Sequence, residues 1–182
     1  MRFDGDQYQA RFDALAAQGQ DVHGEATFVR ALEPTTVLDA GCGTGRVAIE
    51  LARHGIKVVA VDNSTSMIAT ARARAPELDF RPADLTSLDL HEAFDVVVMA
   101  GNVPLFAEPG TQRALVAGCA RHLEPHGALV AGFQLDRGYD LDDYDADCAD
   151  AGLEVVQRFG TWDREPVHAG DSYAVSIHRR SR

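Results

Sequence analysis

A glycine-rich turn between a short apolar segment and an amphipathic segment is the feature that most constrains the fold. Residues 39–45 have the sequence Asp-Ala-Gly-Cys-Gly-Thr-Gly, and Val37 and Leu38 precede them. Glycines allow the backbone to turn tightly and let a ligand approach without meeting a Cβ atom. Residues 45–54 carry apolar side chains at helical spacing, so free N–H groups and a positive dipole end face the turn. The pattern predicts a strand, a turn and a helix, with a ligand at the turn.

The rest of the chain continues this alternation of strands and helices. The predicted strands span residues 37–40, 57–61, 78–81, 94–100, 127–133, 153–159 and 172–178. The predicted helices span residues 6–18, 23–33, 45–54, 64–74, 111–123 and 141–151. Alternation of this kind indicates a mainly parallel sheet covered on both faces. The last two strands have no helix between them, so they must be antiparallel neighbours. The 182 residues suit a single α/β domain, residues 1–182.

Charge and cysteine content restrict the partners. The formal net charge is −11, which argues against a nucleic-acid partner and against docking on an anionic membrane surface. No stretch approaches the roughly 18 apolar residues of a membrane span, and no signal segment is evident. Three cysteines without metal-ligand or redox spacing fit a reducing cytoplasm. The acidic run over residues 136–150 lacks the pattern of a calcium loop, so no metal site is expected.

Polar residues follow the predicted second and third strands. Asp62 ends the second strand, where its carboxylate can accept hydrogen bonds from both hydroxyls of a ribose. Asn63 and Met67 follow it and are placed to flank a purine. Asp84 follows the third strand and can receive an adenine amino group, with the backbone N–H of Leu85 beside it. This arrangement serves NAD as well as S-adenosylmethionine, so both cofactors remain open at this point.

The ordered set of motifs resembles the class I S-adenosylmethionine-dependent methyltransferase family. The matching stretches are residues 37–45, 59–62 followed by 66–67, 83–85, 94–98 and 123–129. The resemblance is strong over about residues 35–135 and looser over the two closing strands. It implies a Rossmann-like, doubly wound sheet of seven strands in the order 3-2-1-4-5-7-6, with strand 7 antiparallel.

The family resemblance also implies roles for the residues at matching positions. Asp39 and Gly41 would hold the methionine end of S-adenosylmethionine, and S-adenosylhomocysteine would be the product. Residues 21–25 resemble a segment that precedes the first motif in small bacterial members, so residues 1–33 are expected to form a helical segment that covers the cofactor. The predicted cofactor-binding residues are Asp39, Gly41, Gly43, Gly45, Asp62, Asn63, Met67, Asp84, Leu85 and Ala100.

The methyl acceptor is expected at three loops that follow strands, because the carboxyl ends of parallel strands share one edge of the sheet. These loops span residues 101–106, 134–139 and 160–168. The candidate catalytic residues are Asn102, Asp163 and His23, and the candidate substrate residues are Phe106, Gln134, Trp162 and Arg164.

Structural roles are equally compatible with several of these candidates. Trp162 could close a hairpin loop over the core, and Asp163 with Arg164 could form an exposed ion pair worth little. His23 could simply begin a helix.

The sequence favours a methyltransferase acting at oxygen or nitrogen of a small molecule, such as a sugar-like or other hydroxylated metabolite. An NAD-type oxidoreductase is one alternative, although Arg46 occupies the position of the last glycine in the dehydrogenase pattern. A non-catalytic module that binds S-adenosylmethionine is another. Because no long insertion is available as a lid, the acceptor pocket is expected to be shallow or to be completed by a second subunit of a homodimer.

Overall fold

The structure is a computed structural model, and it describes residues 5–19 and 22–180. The helices are α1 (Gly5–Ala17), α2 (Gly24–Arg30), α3 (Arg46–Arg53), α4 (Thr65–Arg74), α5 (Gln112–Arg121) and α6 (Leu141–Asp150). The strands are β1 (Thr36–Ala40), β2 (Lys57–Asp62), β3 (Asp79–Pro82), β4 (Phe94–Met99), β5 (Leu123–Gln134), β6 (Leu153–Phe159) and β7 (Tyr173–Arg180). Short 3-10 turns span Leu85–Ser87 and Val103–Phe106. Asp21, in the predicted segment 21–25, lies outside the described residues.

The seven strands form one sheet in the order β3-β2-β1-β4-β5-β7-β6. All neighbours from β3 to β5 are parallel, and β7 is antiparallel to both β5 and β6. The predicted strand order and the antiparallel seventh strand are therefore confirmed. Because β1 and β4 run in the same direction, their carboxyl ends lie side by side with that of β5.

Helices cover both faces of the sheet, which explains why the central strands are apolar runs without alternation. On one face, α5 and α6 pack through Val116, Cys119 and Tyr144. On the other face, α2, α3 and α4 pack through residues such as Phe28 and Leu51. Within the described ranges, no helix is both long enough and apolar enough to cross a bilayer.

Two predicted boundaries were wrong by more than two residues. The helix expected over residues 23–33 ends at Arg30, because a turn follows and Glu33 adopts a positive φ of 55° before Pro34. The strand expected to begin at residue 127 begins at Leu123, since the chain pairs with β4 earlier and a register irregularity absorbs the extra residues. Both errors arise because local hydrophobic periodicity does not record backbone irregularities.

Candidate functional site

The glycine turn is held against the end of β2 by two backbone hydrogen bonds. The N–H groups of Gly41 and Cys42 both donate to the carbonyl oxygen of Val61, at 2.8 and 2.9 Å. Gly41 has a φ of +81°, and a Cβ atom there would lie 2.6 Å from Cγ2 of Val103. Gly41 is therefore needed both for the backbone conformation and for the close approach of the loop that follows β4.

Asp62 fixes the same turn from the side. Its Oδ2 atom accepts a hydrogen bond from the Gly43 N–H at 2.9 Å, and its Oδ1 atom accepts one from the Ser64 N–H at 2.8 Å. Each carboxylate oxygen has a further lone pair, so Asp62 can still accept hydrogen bonds from a ligand. Gly45 has a packing role, because its φ is +79° and a Cβ atom there would lie 2.7 Å from the Phe80 ring.

Asp39 is a buried carboxyl group at the end of β1. It is 1 % exposed, and its Oδ2 atom accepts a hydrogen bond from the Ala48 N–H of α3 at 3.1 Å. Burial raises the pKa of Asp39 from its ordinary value to about 7, and the Ala48 hydrogen bond only partly opposes this. A cation at this site would favour the ionised form, so the group is suited to a positively charged ligand atom.

The ends of β2 and β3 lie side by side, and the residues predicted to bind adenine lie at or just after these ends. Asp84 is exposed, and its Oδ1 atom accepts hydrogen bonds from the N–H and the hydroxyl of Thr86, both at 2.8 Å. These bonds hold the pKa of Asp84 below its usual value. Leu85 and Met67 are buried, whereas Asn63 is exposed. Asp84 therefore offers a charged acceptor at the mouth of the site.

Arg46, the first residue of α3, joins the turn to α2. Its guanidinium forms two hydrogen bonds with the Glu25 carboxylate, at 2.6 and 2.8 Å, and also donates to the carbonyl oxygen of Val22. The side chains of Arg46 and Glu25 are only 13 % and 16 % exposed. The residue that departs from the dehydrogenase pattern thus anchors the N-terminal segment beside the glycine turn.

Helix α1 also contacts the turn directly. The Thr44 hydroxyl, which is buried, donates to Oε1 of Gln9 at 2.6 Å. Further along, the Thr70 hydroxyl of α4 donates to Asp6 at 2.8 Å. The sequence reasoning missed Gln9 because one polar residue in an amphipathic helix carries no local signal of its partner.

Asn102 connects the loop after β4 to the end of β5. Its backbone has a φ of +67°, its N–H donates to the Gly132 carbonyl at 3.3 Å, and its side-chain Oδ1 accepts from the Gln134 N–H at 2.9 Å. The side-chain amide is thereby held at the strand-end edge, near Ala100. Phe106 follows in the same loop and is 65 % exposed.

Trp162 and Arg164 pack on the core from the loop between β6 and β7. The Trp162 ring meets Phe28 of α2 edge-on at a centroid distance of 5.3 Å, and the Arg164 guanidinium lies 4.5 Å above the same ring. The predicted alternative of Trp162 closing the hairpin loop thus matches its packing. Arg164 stacks on Phe28 and donates to its carbonyl oxygen, while Asp163 is exposed and its N–H donates to Thr161.

His23 directly precedes α2, as the helix-start interpretation expected. Its Nδ1 atom lies 3.8 Å from a carboxylate oxygen of Glu50 on α3, and its side chain is 40 % exposed. The structure therefore brings His23 to α3, whereas Asn102 and Gln134 meet at the strand-end edge.

The acidic run over residues 136–150 serves helix α6. Asp140 caps that helix by accepting hydrogen bonds from the N–H groups of Asp142 and Asp143, each at 3.0 Å. Asp147 accepts a hydrogen bond from the buried Tyr139 hydroxyl at 2.7 Å. In the part of the chain that the structure describes, no group of three His, Cys, Asp or Glu side chains is arranged to hold a metal ion.

Comparison with known proteins agrees with this geometry. Residues 37–127, half of the chain, match the methyltransferase domain family. The chain therefore belongs to that family, and its fold is that of the class I S-adenosylmethionine-dependent methyltransferases. S-adenosylmethionine is accordingly the cofactor, and the NAD-type alternative is set aside.

A solved structure matches almost the whole chain. It is a TehB-like SAM-dependent methyltransferase from Corynebacterium glutamicum, 32 % identical, with a TM-score of 0.92, and the match covers 97 % of this chain and 98 % of that one.

Curated relatives match over shorter stretches. The cypemycin N-terminal methyltransferase of a Streptomyces species is 39 % identical over 102 residues, which are 54 % of this chain and 42 % of the relative. A ubiquinone biosynthesis O-methyltransferase of Caulobacter sp. (strain K31) is 36 % identical over 126 residues, 66 % of this chain and 47 % of the relative. The chain thus spans less than half the length of these two relatives.

Proposed function

We propose that this chain transfers the methyl group of S-adenosylmethionine to oxygen or nitrogen of a small molecule, leaving S-adenosylhomocysteine. The observation that carries the proposal is the row of carboxylates at the ends of three neighbouring parallel strands. Asp39 is the penultimate residue of β1, Asp62 ends β2 and Asp84 follows β3, and these three strands are neighbours in the sheet. The row is matched to a ligand with a cation at one end, a ribose in the middle and an adenine at the other end.

Each carboxylate has a distinct task in this proposal. Asp39 pairs with the ammonium group of the methionine end, which compensates the cost of ionising a buried acid. Asp62 accepts hydrogen bonds from the ribose hydroxyls while it keeps the turn closed. The second oxygen of Asp84 and the N–H of Leu85 bind the adenine edge, with Met67 and Asn63 beside the ring.

Bound S-adenosylmethionine supplies a methyl group activated by positive sulfur: the acceptor's lone pair bonds to the methyl carbon as the carbon–sulfur bond breaks and its electron pair returns to sulfur. The protein's main contribution is alignment of the acceptor. Asn102 serves as a positioning residue, because its bond to Gln134 fixes the loop after β4. A hydroxyl acceptor also needs a group to take its proton, whereas a neutral amine often does not. Asp163 is the proposed proton acceptor, and His23 is the second candidate.

The acceptor is proposed to be a hydroxylated or amine-bearing metabolite. Phe106, Gln134 and Trp162 are the proposed substrate-side residues, and Arg164, predicted with them, is proposed to act indirectly by anchoring the loop of Trp162 on Phe28. Two relatives support both chemistries, since one is named an N-terminal methyltransferase and another an O-methyltransferase. The alternative, a module without activity, would bind S-adenosylmethionine but transfer no methyl group.

The test combines cofactor binding by calorimetry with labelled-methyl transfer to a panel of sugars, amines, phenols and carboxylates. Substitutions of the two asparagines of the chain separate turnover from cofactor binding. Asn102→Gly keeps the positive-φ backbone but removes the side chain, so we expect cofactor affinity to persist and turnover to fall about tenfold or more. Asn63→Ala should instead weaken cofactor binding. Absence of cofactor binding would refute the proposal, and binding without transfer to any compound would favour the non-catalytic module.

A further inference from the structure

A cleft of about 490 Å³ lies beside the strand-end edge, in the loop between β6 and β7. Residues 160–161, 165–166, 168 and 171–173 line it. Tyr173, the first residue of β7, is one of these residues, and it pairs across the sheet with Gln134, the last residue of β5. The cleft therefore opens at the edge where the loops after β4 and β5 also meet.

Tyr173, which lines the cleft, is held by Trp162, an aromatic side chain that is not itself among the lining residues. The Trp162 Nε1–H donates a hydrogen bond to the Tyr173 hydroxyl oxygen at 2.9 Å. Both side chains lie over Gly132 in β5: a Cβ atom there would be 2.4 Å from the Trp162 ring and 2.7 Å from the Tyr173 hydroxyl. The absence of a side chain at Gly132 lets the two groups rest directly on the strand.

Trp162 and Tyr173 lie close to the strands that carry the predicted cofactor site. The Gly132 carbonyl accepts the backbone hydrogen bond of Asn102, and β4 separates β5 from β1. Neighbouring strands are about 4.8 Å apart, so Gly132 is roughly 10 Å from the strand that ends in the glycine turn. A small molecule that contacts Tyr173 can span this distance.

The Tyr173 hydroxyl is suited to donate a hydrogen bond. Its oxygen already accepts from Trp162, and its proton is available for a ligand. Burial raises the pKa of Tyr173 to about 12, so the group stays neutral at physiological pH and acts as a donor rather than a base.

The charges of the lining residues determine which ligands the cleft accepts. Its charged or titratable side chains, besides Tyr173, are Glu165, Asp171 and His168, and neither lysine nor arginine is among the residues that line it. The nearby Arg164 guanidinium lies over Phe28 instead. An anionic ligand would therefore meet carboxylates without a compensating basic side chain.

We propose that this cleft is the outer part of the methyl-acceptor site, and that Tyr173 is a positioning residue that donates a hydrogen bond to an oxygen of a neutral or cationic acceptor. This inference rests on the proposed methyltransferase function.

The test uses Trp162 as a reporter, because it is the only tryptophan of the chain. Protein saturated with S-adenosylhomocysteine is titrated with glucosamine and galactosamine, and with the 6-phosphates of both, while intrinsic tryptophan fluorescence is recorded. We expect saturable changes with the amino sugars, and midpoints about tenfold or more higher for the phosphates. Tyr173→Phe should raise the amino-sugar midpoints by a similar factor. Tyr144→Phe, which removes a hydroxyl buried in the core, is the matched control and should leave them unchanged.

Three outcomes would overturn the inference: no fluorescence change with any of the sugars, equal midpoints in Tyr173→Phe and the unaltered protein, or phosphates that bind as tightly as the amino sugars. Calorimetry with S-adenosylhomocysteine separates this failure from failure of the proposed function. If the cofactor product does not bind, the proposed function is wrong. If labelled methyl is transferred but Tyr173→Phe leaves the acceptor KM unchanged, only the role of Tyr173 is wrong.

Discussion

Asp39→Asn removes an ionisable carboxyl group that the fold buries almost completely. The folded-state pKa of Asp39 is about 7, well above the ordinary value of 3.8. Between these two values the unfolded chain has released the proton while the folded chain keeps it, so unfolding becomes easier as the pH rises. Asp39 should therefore reduce stability progressively from about pH 4 to pH 7, and the loss should level off above pH 7.

The size of the effect follows from the pKa difference. Each pKa unit corresponds to 1.36 kcal/mol, so the rise at Asp39 corresponds to an upper value of about 4 kcal/mol. We expect the unfolding free energy of Asp39→Asn, relative to the unaltered protein, to increase by about 2–4 kcal/mol between pH 5 and pH 8. Urea denaturation followed by circular dichroism at several pH values measures this difference. Equal pH dependence of the two proteins would refute the reasoning.

Asp95→Asn is a control for which we expect the opposite pH dependence of stability. The Asp95 carboxylate accepts hydrogen bonds from the N–H groups of Thr35 and Thr36, which hold its pKa below the usual value. Its stabilising contribution is present above the ordinary pKa and is lost as the pH falls through the folded-state pKa. The unaltered protein should thus have a higher unfolding free energy than Asp95→Asn at neutral pH, and this difference should disappear in acid.

Three further outcomes are expected. S-adenosylmethionine should bind more tightly as the pH rises from about 6 to 8, because its ammonium group pairs with ionised Asp39, and calorimetry of Asp39→Asn should show weaker binding with less pH dependence. Gly41→Ala should weaken cofactor binding by about tenfold or more, and adding Val103→Ala should recover only the part due to the clash, since the positive φ persists. Arg46→Lys should lower the unfolding free energy by about 1–2 kcal/mol, because one ammonium cannot replace the two-point contact with Glu25; a double-mutant cycle with Glu25→Gln that gave no coupling would contradict this.

The sequence determined the strand order through its resemblance to a family and the sheet type through its alternating pattern. It also placed Asp39, Asp62 and Asp84 at strand ends, because a strand's end is visible as a local change from apolar to polar residues. The structure confirmed the topology, and these carboxylates lie along one edge of the sheet. Their roles toward the cofactor stay predictions for the binding experiments.

Some residues were recognised, but their contacts were not. Arg46 was noted only because it occupies the position of the last glycine in the dehydrogenase pattern. Its ion pair with Glu25 on another helix could not be inferred from sequence spacing. Asn102 was expected at the site as a catalytic residue, whereas its hydrogen bond to Gln134 is the basis on which we propose a positioning role. Each contact joins residues more than twenty positions apart, beyond the range of a local pattern.

The acceptor side depended most on tertiary structure. Trp162 was a candidate from its loop, while Tyr173 carried no signal, because it begins an ordinary apolar strand. Only the packing of β7 against β5 brings its hydroxyl to Trp162 above Gly132. The contact between Arg164 and Phe28 spans 136 residues of chain, and Arg164 is not among the residues that line the cleft. Periodicity and spacing act along the chain and so predict the elements and their ends, whereas side-chain partners are chosen by packing across elements, which only the folded structure decides.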